Sequence, residues 1–407
     1  MKHLDFAHVA ALPQLTDYDE IAEVLRSRKF VQGAYETSGS EFMGGTLSAI
    51  DGEQHLARRR VLAQLFSDEA VAVYKDSHVT PAIDLCLREL FAGPRDAQGQ
   101  VHCDLVALSE RCHYRVAGAI TGIDGLADAG AADRFIAQIQ AIASGLTLDW
   151  TREDPAQVSA RARAAREAFR VEFFQPSCER RQRALGGERA DMSRDALMLM
   201  LAHRHEGWPD DPDALLREVT LLLTAATQSA SAALVHFFVR LEQWLGAHPE
   251  DRPAIAADPQ FLRKAAVESM RLTSGAPARI RKATEDVQLS TGRVVKTGER
   301  VALLLVASNK EADRFGPDAD QFNPHREAHD APPWGHAFGG GAHMCLGRPL
   351  MTGSRIAGRS DVDGIMVAIA RRLYAAGIRL DASRQAVHDQ STFYDVYTAL
   401  PVVLTPS

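Results

Sequence analysis

The stretch Pro212–Leu245 constrains this chain more than any other. Its middle, Val219–Phe238, reads VTLLLTAATQSASAALVHFF and is apolar on nearly every helical face. A helix on a protein surface keeps one polar side, whereas one that is apolar all round runs through a core. Pro212 and Asp213 suit its start, and Gly246 with Pro249 suits its end. The first two-thirds of the chain, from Tyr18 to about Leu272, is dominated by helical periodicity. Ala10–Arg26, Pro81–Phe91 and Leu105–Gly118 recur at helical spacing, and the Ala-rich run Gly125–Arg166 reads as helix punctuated by loops. Strand signals come late, at Asp286–Leu289 with Arg293–Val295, at Arg300–Val306 and in Tyr397–Leu404.

Composition removes several function classes. The 407 residues are 46% apolar with a net charge of −7, values of a globular protein. An acidic excess argues against nucleic acid as the main partner. No run reaches the roughly 18 uninterrupted apolar residues of a membrane helix. The start, MKHLDFAHVAALPQ, lacks a signal-peptide core and a cleavage site. A cytoplasmic protein without membrane insertion is therefore expected. Length alone would allow two or three domains, yet no internal repeat and no low-complexity linker divides the chain. The five cysteines, Cys86, Cys103, Cys112, Cys178 and Cys345, are scattered and form no CxxC pair, which argues against a disulfide framework or a zinc site.

Between Asn309 and Gly347 lies a long stretch rich in Pro, Gly, Asp and His, and structureless loops of that length are usually functional. Its end, Phe338-Gly339-Gly340-Gly341-Ala342-His343-Met344-Cys345-Leu346-Gly347, brackets one cysteine with glycines just before an apparent helix start. Glycines let backbone approach a large flat ligand, and the positive end of a helix dipole favours thiolate over thiol. A thiolate so placed is a natural axial ligand for haem iron. A buried structural cysteine is the blander reading, and it suits the other four.

Phe338, Gly341, Cys345 and Gly347 match the F-x-x-G-x-x-x-C-x-G spacing of the cytochrome P-450 haem-thiolate family, with His343 where that family carries a basic residue. The chain thus resembles soluble bacterial members, in family order from about Tyr18 to Leu404. Four E-x-x-R pairs occur: Glu23/Arg26, Glu167/Arg170, Glu268/Arg271 and Glu311/Arg314. By itself the pattern is an ordinary surface pair. Only Glu268/Arg271 stands at a family-like distance before Cys345, ahead of Arg281-Lys282-Ala283-Thr284-Glu285-Asp286, which looks like the family's R-x-A-x-E-D. Arg326, in Phe322-Asn323-Pro324-His325-Arg326, would be the third member of a structural triad that fixes the cysteine loop.

The resemblance implies one cytochrome P-450 domain over residues 1–407, mostly α with a smaller β region, with haem b between the long helix and the cysteine loop. His55 and Arg59, four apart in a helix resembling the family's H-x-x-x-R, would hold the propionates with Arg281 and His343. Arg58 and Arg60 read as a solvated basic turn. On the long helix, Ala225, Ala226, Thr227, Gln228 and Ser229 align with the family's oxygen-activating motif. Small residues at 225 and 226 would let haem approach. Ser229 keeps a hydroxyl, but Gln228 is an amide where a carboxyl is usual and cannot donate and recover a proton.

The implied activity is insertion of one oxygen atom from O2 into a largely apolar small molecule, in the manner of secondary-metabolism oxidoreductases. Electrons would come from NAD(P)H through a reductase and a ferredoxin or flavodoxin, to a monomeric enzyme. Arg58, Arg60, Arg348 and Arg355 are expected to form a cationic face for that acidic partner. The alternatives are a haem enzyme of another reaction class (peroxide-driven, oxidative coupling or dehydration), which Gln228 favours, and a haem sensor. By family position, Tyr35, Phe42, Met43, Ile280, Phe393 and Tyr394 would give the pocket its apolar character, while Arg279 could meet a substrate carboxylate, with a surface or a propionate role as the alternatives.

Overall fold

The computed structural model describes residues 7–34, 40–187, 194–209, 211–273, 275, 278–353 and 361–405. They divide into two compact units, one built from residues 1–37 and 236–348, the other from 38–235 and 349–407.

The first unit is a small sheet with helices and a long irregular segment. Its four strands run Gln14–Leu15, Arg300–Leu303, Arg279–Ala283 and Phe30–Gln32 across the sheet, parallel in the first pairing and antiparallel in the others. Leu15, Ile21, Val24, Leu25, Phe30, Val301, Leu303 and Leu305 form its core. The expected helix over Ala10–Arg26 is shorter than its periodicity suggests. Gln14 and Leu15 pair instead with Ala302 and Leu303, and the helix begins at Tyr18. Asp17 stops it from starting earlier, because its extended backbone and its carboxylate, which accepts from the Glu20 amide, make it the N-cap. The strand expected over Arg300–Val306 ends at Leu303, and Leu305–Ser308 closes into a helical turn. Val287–Gln288 and Val294–Val295 pair as a hairpin within the two expected stretches.

The second unit is predominantly helical. Its helices include Gly52–Ala63, Thr80–Phe91, Leu105–Thr121, Ala129–Leu146, Pro155–Phe169 and Ile365–Ala375. Ala129–Leu146 and Pro155–Phe169 lie against each other. A Cβ on Gly145 would stand 2.6 Å from that of Ala162, so only glycine permits their approach. Phe135 packs on Phe169 and Phe173 beneath them. The expected Tyr397–Leu404 strand is two strands in two sheets. Tyr397–Ala399 pairs with Val387–His388, and Pro401–Leu404 pairs with Val101–Asp104 and Arg379–Leu380. Val101–Asp104 alternates apolar and polar residues over four positions only, too short a run to stand out in the sequence.

The long helix runs Pro212–Ala247, two residues beyond its expected end, and the boundary between the units falls within it. It is long and apolar enough to cross a membrane, and 61% of its apolar window is buried in the protein, as a core helix requires.

Candidate functional site

In the first unit the cysteine loop is a tight structure made by its own backbone. The Cys345 amide donates to the Phe338 carbonyl at 2.9 Å, Met344 to Gly341 at 3.2 Å and Gly339 to His336 at 2.8 Å. Gly341 has φ +61°, and a Cβ there would lie 2.0 Å from the Leu25 carbonyl oxygen. The loop is therefore pressed onto the end of the Tyr18–Arg26 helix, where only glycine fits. His343 ends the short turn Gly341–His343, and Gly347 leads into the helix Arg348–Thr352. Phe338 meets Trp334 edge to face, and Arg348 lies over the Trp334 ring.

Cys345 is exposed, whereas Cys86 and Cys112 are buried and Cys103 and Cys178 half-buried. Burial pushes the Cys103 and Cys178 thiols up to about 12, which keeps both protonated. Of the five, Cys345 alone is a soft donor presented at a surface.

The Glu268–Arg271–Arg326 triad forms as expected, on the helix Phe261–Arg271 and the irregular segment. Arg271 donates from Nε and Nη2 to both oxygens of Glu268 at 2.7 Å, and Arg326 donates from Nε to Oε1 at 2.9 Å. Arg271 also donates to the carbonyls of Asn309 and Ala319 at 2.5 and 2.6 Å, and Arg326 pairs with Asp318 at 2.8 Å. Such bidentate, charge-assisted bonds hold irregular backbone in one geometry.

Sequence reasoning missed the residue that joins this triad to the cysteine loop. Asn309 donates from Nδ2 to the Arg271 carbonyl at 2.9 Å and accepts the His336 amide on Oδ1 at 2.7 Å. His336 stacks on Tyr18 at 3.9 Å and reaches the Tyr18 carbonyl with Nε2, and burial holds its pKa below the usual imidazole value. A lone amide after a helical turn carries no sequence signal. Of the other E-x-x-R pairs, Glu167 and Arg170 form an exposed ion pair. Glu23 accepts the Ser290 amide, while Glu311 accepts the Tyr18 amide and Arg314 pairs with Asp19.

Arg281 is buried on its strand and donates to Gln32 Oε1 at 2.8 Å. Ile280 is buried within the same strand, and Tyr35 lies outside the described residues.

In the second unit the helix Gly52–Ala63 buries His55, Arg58, Val61 and Leu62, with Arg59 half-buried and Arg60 exposed. The solvated-turn reading holds for Arg60 and fails for Arg58. Arg58 is 1% exposed and donates to Glu218 at 2.9 Å and to the Gly207 carbonyl at 2.7 Å. Glu218 Oε1 accepts the Leu47 amide and Oε2 accepts Trp208 Nε1, so every strong acceptor in the cluster is used. Arg58 is thus removed from the expected cationic face, and Arg355 lies outside the described residues.

The structure also separates residues that the sequence placed together on the long helix. Ala225, Gln228 and Ser229 occupy one face, with Ala225 exposed and the other two half-buried. Thr227 lies on the opposite face, fully buried, with its hydroxyl donating to the Leu223 carbonyl at 2.8 Å. At about 100° per residue Thr227 stands about 160° round the helix from both Ala225 and Ser229, and it is buried away from the face they share. Ala226 is half-buried between the two faces. The Ser229 hydroxyl donates to the Ala225 carbonyl at 2.9 Å. Phe42 and Met43 are core residues, Phe42 lying beside Gly145 and under Arg166. Phe393 and Tyr394 are half-buried against Arg152 and Trp150.

A family model for cytochrome P450 matches residues 242–352, the stretch that holds the triad and the cysteine loop. Vitamin D(3) 25-hydroxylase of Pseudonocardia autotrophica is 33% identical over 160 residues, 39% of this chain and 36% of that protein. The 20-oxo-5-O-mycaminosyltylactone 23-monooxygenase of Streptomyces fradiae is 28% identical over 221 residues, 54% of this chain and 48% of that protein. The matched stretches thus span between a third and a half of those relatives. The structure of CYP109E1 from Bacillus megaterium with corticosterone has a TM-score of 0.71 at 20% identity, covering 96% of this chain and 92% of that one. CYP109B1 from Bacillus subtilis has a TM-score of 0.70 at 18% identity, covering 96% and 92%. These likenesses establish the fold.

Proposed function

The chain belongs to the cytochrome P450 family, and from that premise we propose that it is a haem-thiolate monooxygenase acting on a largely apolar small molecule. One observation carries the reading: Cys345 is the single cysteine presented at a surface, on a loop closed by its own amide and pinned through Asn309 to a buried triad. The donor chemistry fits haem. A lone soft sulfur without a second cysteine or a carboxylate cluster suits an axial ligand better than a metal cage, and no group of three metal-ligating side chains exists among the described residues.

Cys345 would hold the iron, and Phe338, Gly341, His343 and Gly347 would shape the loop around it. Arg281, His343, His55 and Arg59 are the proposed propionate partners. When bound, the haem supplies the redox chemistry of dioxygen cleavage, favoured by the electron-rich thiolate. Ala225 and Ala226 would admit it by their small size. Gln228 and Ser229 share a helix face that Thr227 leaves, so the proposed relay is reduced to an amide and a hydroxyl. An amide can orient a water or a substrate hydroxyl but cannot carry a proton across.

Electrons would arrive from NAD(P)H through a reductase and a ferredoxin or flavodoxin, and the enzyme would act as a cytoplasmic monomer. The relatives reported above include a vitamin D(3) 25-hydroxylase, which agrees with an apolar substrate. The Gln228 amide supports a second reading, oxidation driven by peroxide. The test is haem content and the ferrous–CO spectrum of purified protein, followed by product formation with a reductase system or with peroxide alone. A strongly red-shifted Soret band with reductase-driven product supports the first reading. Product from peroxide alone supports the second, and protein without haem overturns both.

A further inference from the structure

The cysteines set aside in the sequence include a pair that the fold brings together. Cys86 lies on the helix Thr80–Phe91 and Cys112 on the helix Leu105–Thr121, two helices that pack against each other. Both side chains are buried, and the two thiols are neighbours. The Cys86 sulfur is not in an apolar setting. Arg115 Nη1 donates to it at 3.2 Å, and the same guanidinium grips Glu89 with two bonds of 2.9 Å. Glu89 is partly exposed, so a polar edge runs from the sulfur towards solvent.

We propose that Cys86 and Cys112 form a reversible disulfide, an oxidation site for hydrogen peroxide independent of Cys345. The Cys112 thiol and the Arg115 cation both favour the Cys86 thiolate and lower its pKa, while the Cys112 pKa rises. The Arg115 donor on its sulfur marks Cys86 as the nucleophile, with Cys112 the resolving thiol. The Cys86 thiolate attacks one peroxide oxygen. An S–O bond forms as the O–O bond breaks, and the hydroxide that leaves takes up a proton to become water. The Cys112 sulfur then attacks the Cys86 sulfenic sulfur. The S–S bond forms, the S–O bond breaks, and the departing hydroxide leaves with the Cys112 proton as a second water. Two thiols lose two electrons and peroxide gains them.

Cys103 and Cys178 serve as internal controls, because neither has a thiol partner and both are held protonated. The test treats the full-length protein as purified with hydrogen peroxide, then unfolds it in an alkylating reagent and maps its peptides by mass. The expected result is a loss of two hydrogens in a cross-linked species joining the Cys86 and Cys112 peptides, reversed by dithiothreitol. Cys112→Ser should abolish it, and Arg115→Gln should slow it roughly tenfold by raising the Cys86 pKa. Complete alkylation of both cysteines after peroxide, or Cys86 oxidised to the sulfinic acid beside a free Cys112, overturns the proposal. An unchanged rate in Arg115→Gln overturns the assignment of Cys86 as the attacking sulfur.

Discussion

Arg58 and Glu218 form an ion pair of 2.9 Å with side chains 2% and 0% exposed, joining the helix that carries His55 and Arg59 to the helix that carries Ala225–Ser229. Desolvating two charges is costly, and it is offset here because carbonyls and donors fill their remaining positions. Removing one partner leaves the other buried and uncompensated. Arg58→Met should therefore lower stability by about 3–5 kcal/mol, whereas Arg60→Met, on the exposed side, should leave the midpoint nearly in place. Urea unfolding of the two variants checks this. Equal midpoints would show that the pair contributes little.

Cys345→Ser should fold but lose the strongly red-shifted Soret band of the ferrous–CO complex, since serine removes the soft ligand with little change in volume. Cys103→Ala and Cys178→Ala should retain it. An unchanged band in Cys345→Ser would place the axial ligand elsewhere.

Glu268→Gln should reduce soluble yield and haem content together, because Arg271 and Arg326 lose their shared counter-charge, at a cost of about 3–5 kcal/mol. Glu167→Gln removes the carboxylate of an exposed pair with the same i, i+3 spacing and should change neither. Haem loss equal in both variants would remove the triad from the account of the cysteine loop.

Coupling of electrons to product tests the face shared by Gln228 and Ser229. With substrate or an ordered water supplying protons, Gln228→Glu and Ser229→Ala should leave product per NAD(P)H almost unchanged, while Gln228→Glu weakens binding by burying a charge. A large gain in Gln228→Glu would show that a carboxyl relay was missing. A large loss in Ser229→Ala would show that the hydroxyl serves without an acid. Thr227→Val should affect stability alone, because that hydroxyl bonds its own helix on the opposite face.

A pH dependence follows from His102, whose Nε2 lies 2.8 Å from Asp96 and whose Nδ1 lies 3.1 Å from Asp381. Those carboxylates raise its pKa, Asp96 contributing most and Asp381 next. A histidine raised in the folded state adds stability that is fully present below its unfolded pKa of about 6.5 and is lost as pH rises through the folded value. The urea midpoint should accordingly fall as pH rises above about 6.5 in the parent and fall less in His102→Gln. Parallel curves would show that the histidine is indifferent to its neighbours.

Short-range patterns were legible in the residues themselves. The long apolar helix, the Gly-bracketed loop around Cys345, the i, i+3 spacing of Glu268 and Arg271 and the i, i+4 spacing of His55 and Arg59 all depend on backbone geometry over a few residues, which the sequence alone specifies. Other features exist only because distant segments meet. Arg58 stands among three consecutive arginines, and nothing local tells which is buried until Glu218 arrives from 160 positions away. Asn309 looks like any loop amide until the Arg271 carbonyl and the His336 amide flank it. Thr227 belongs to the motif by adjacency and leaves it by rotation, because a helix turns 100° per residue while an alignment counts positions. Cys86 and Cys112 are scattered in the chain and neighbours in the fold. A buried charge or thiol takes its character from desolvation and from its partners, and both are properties of the packed interior.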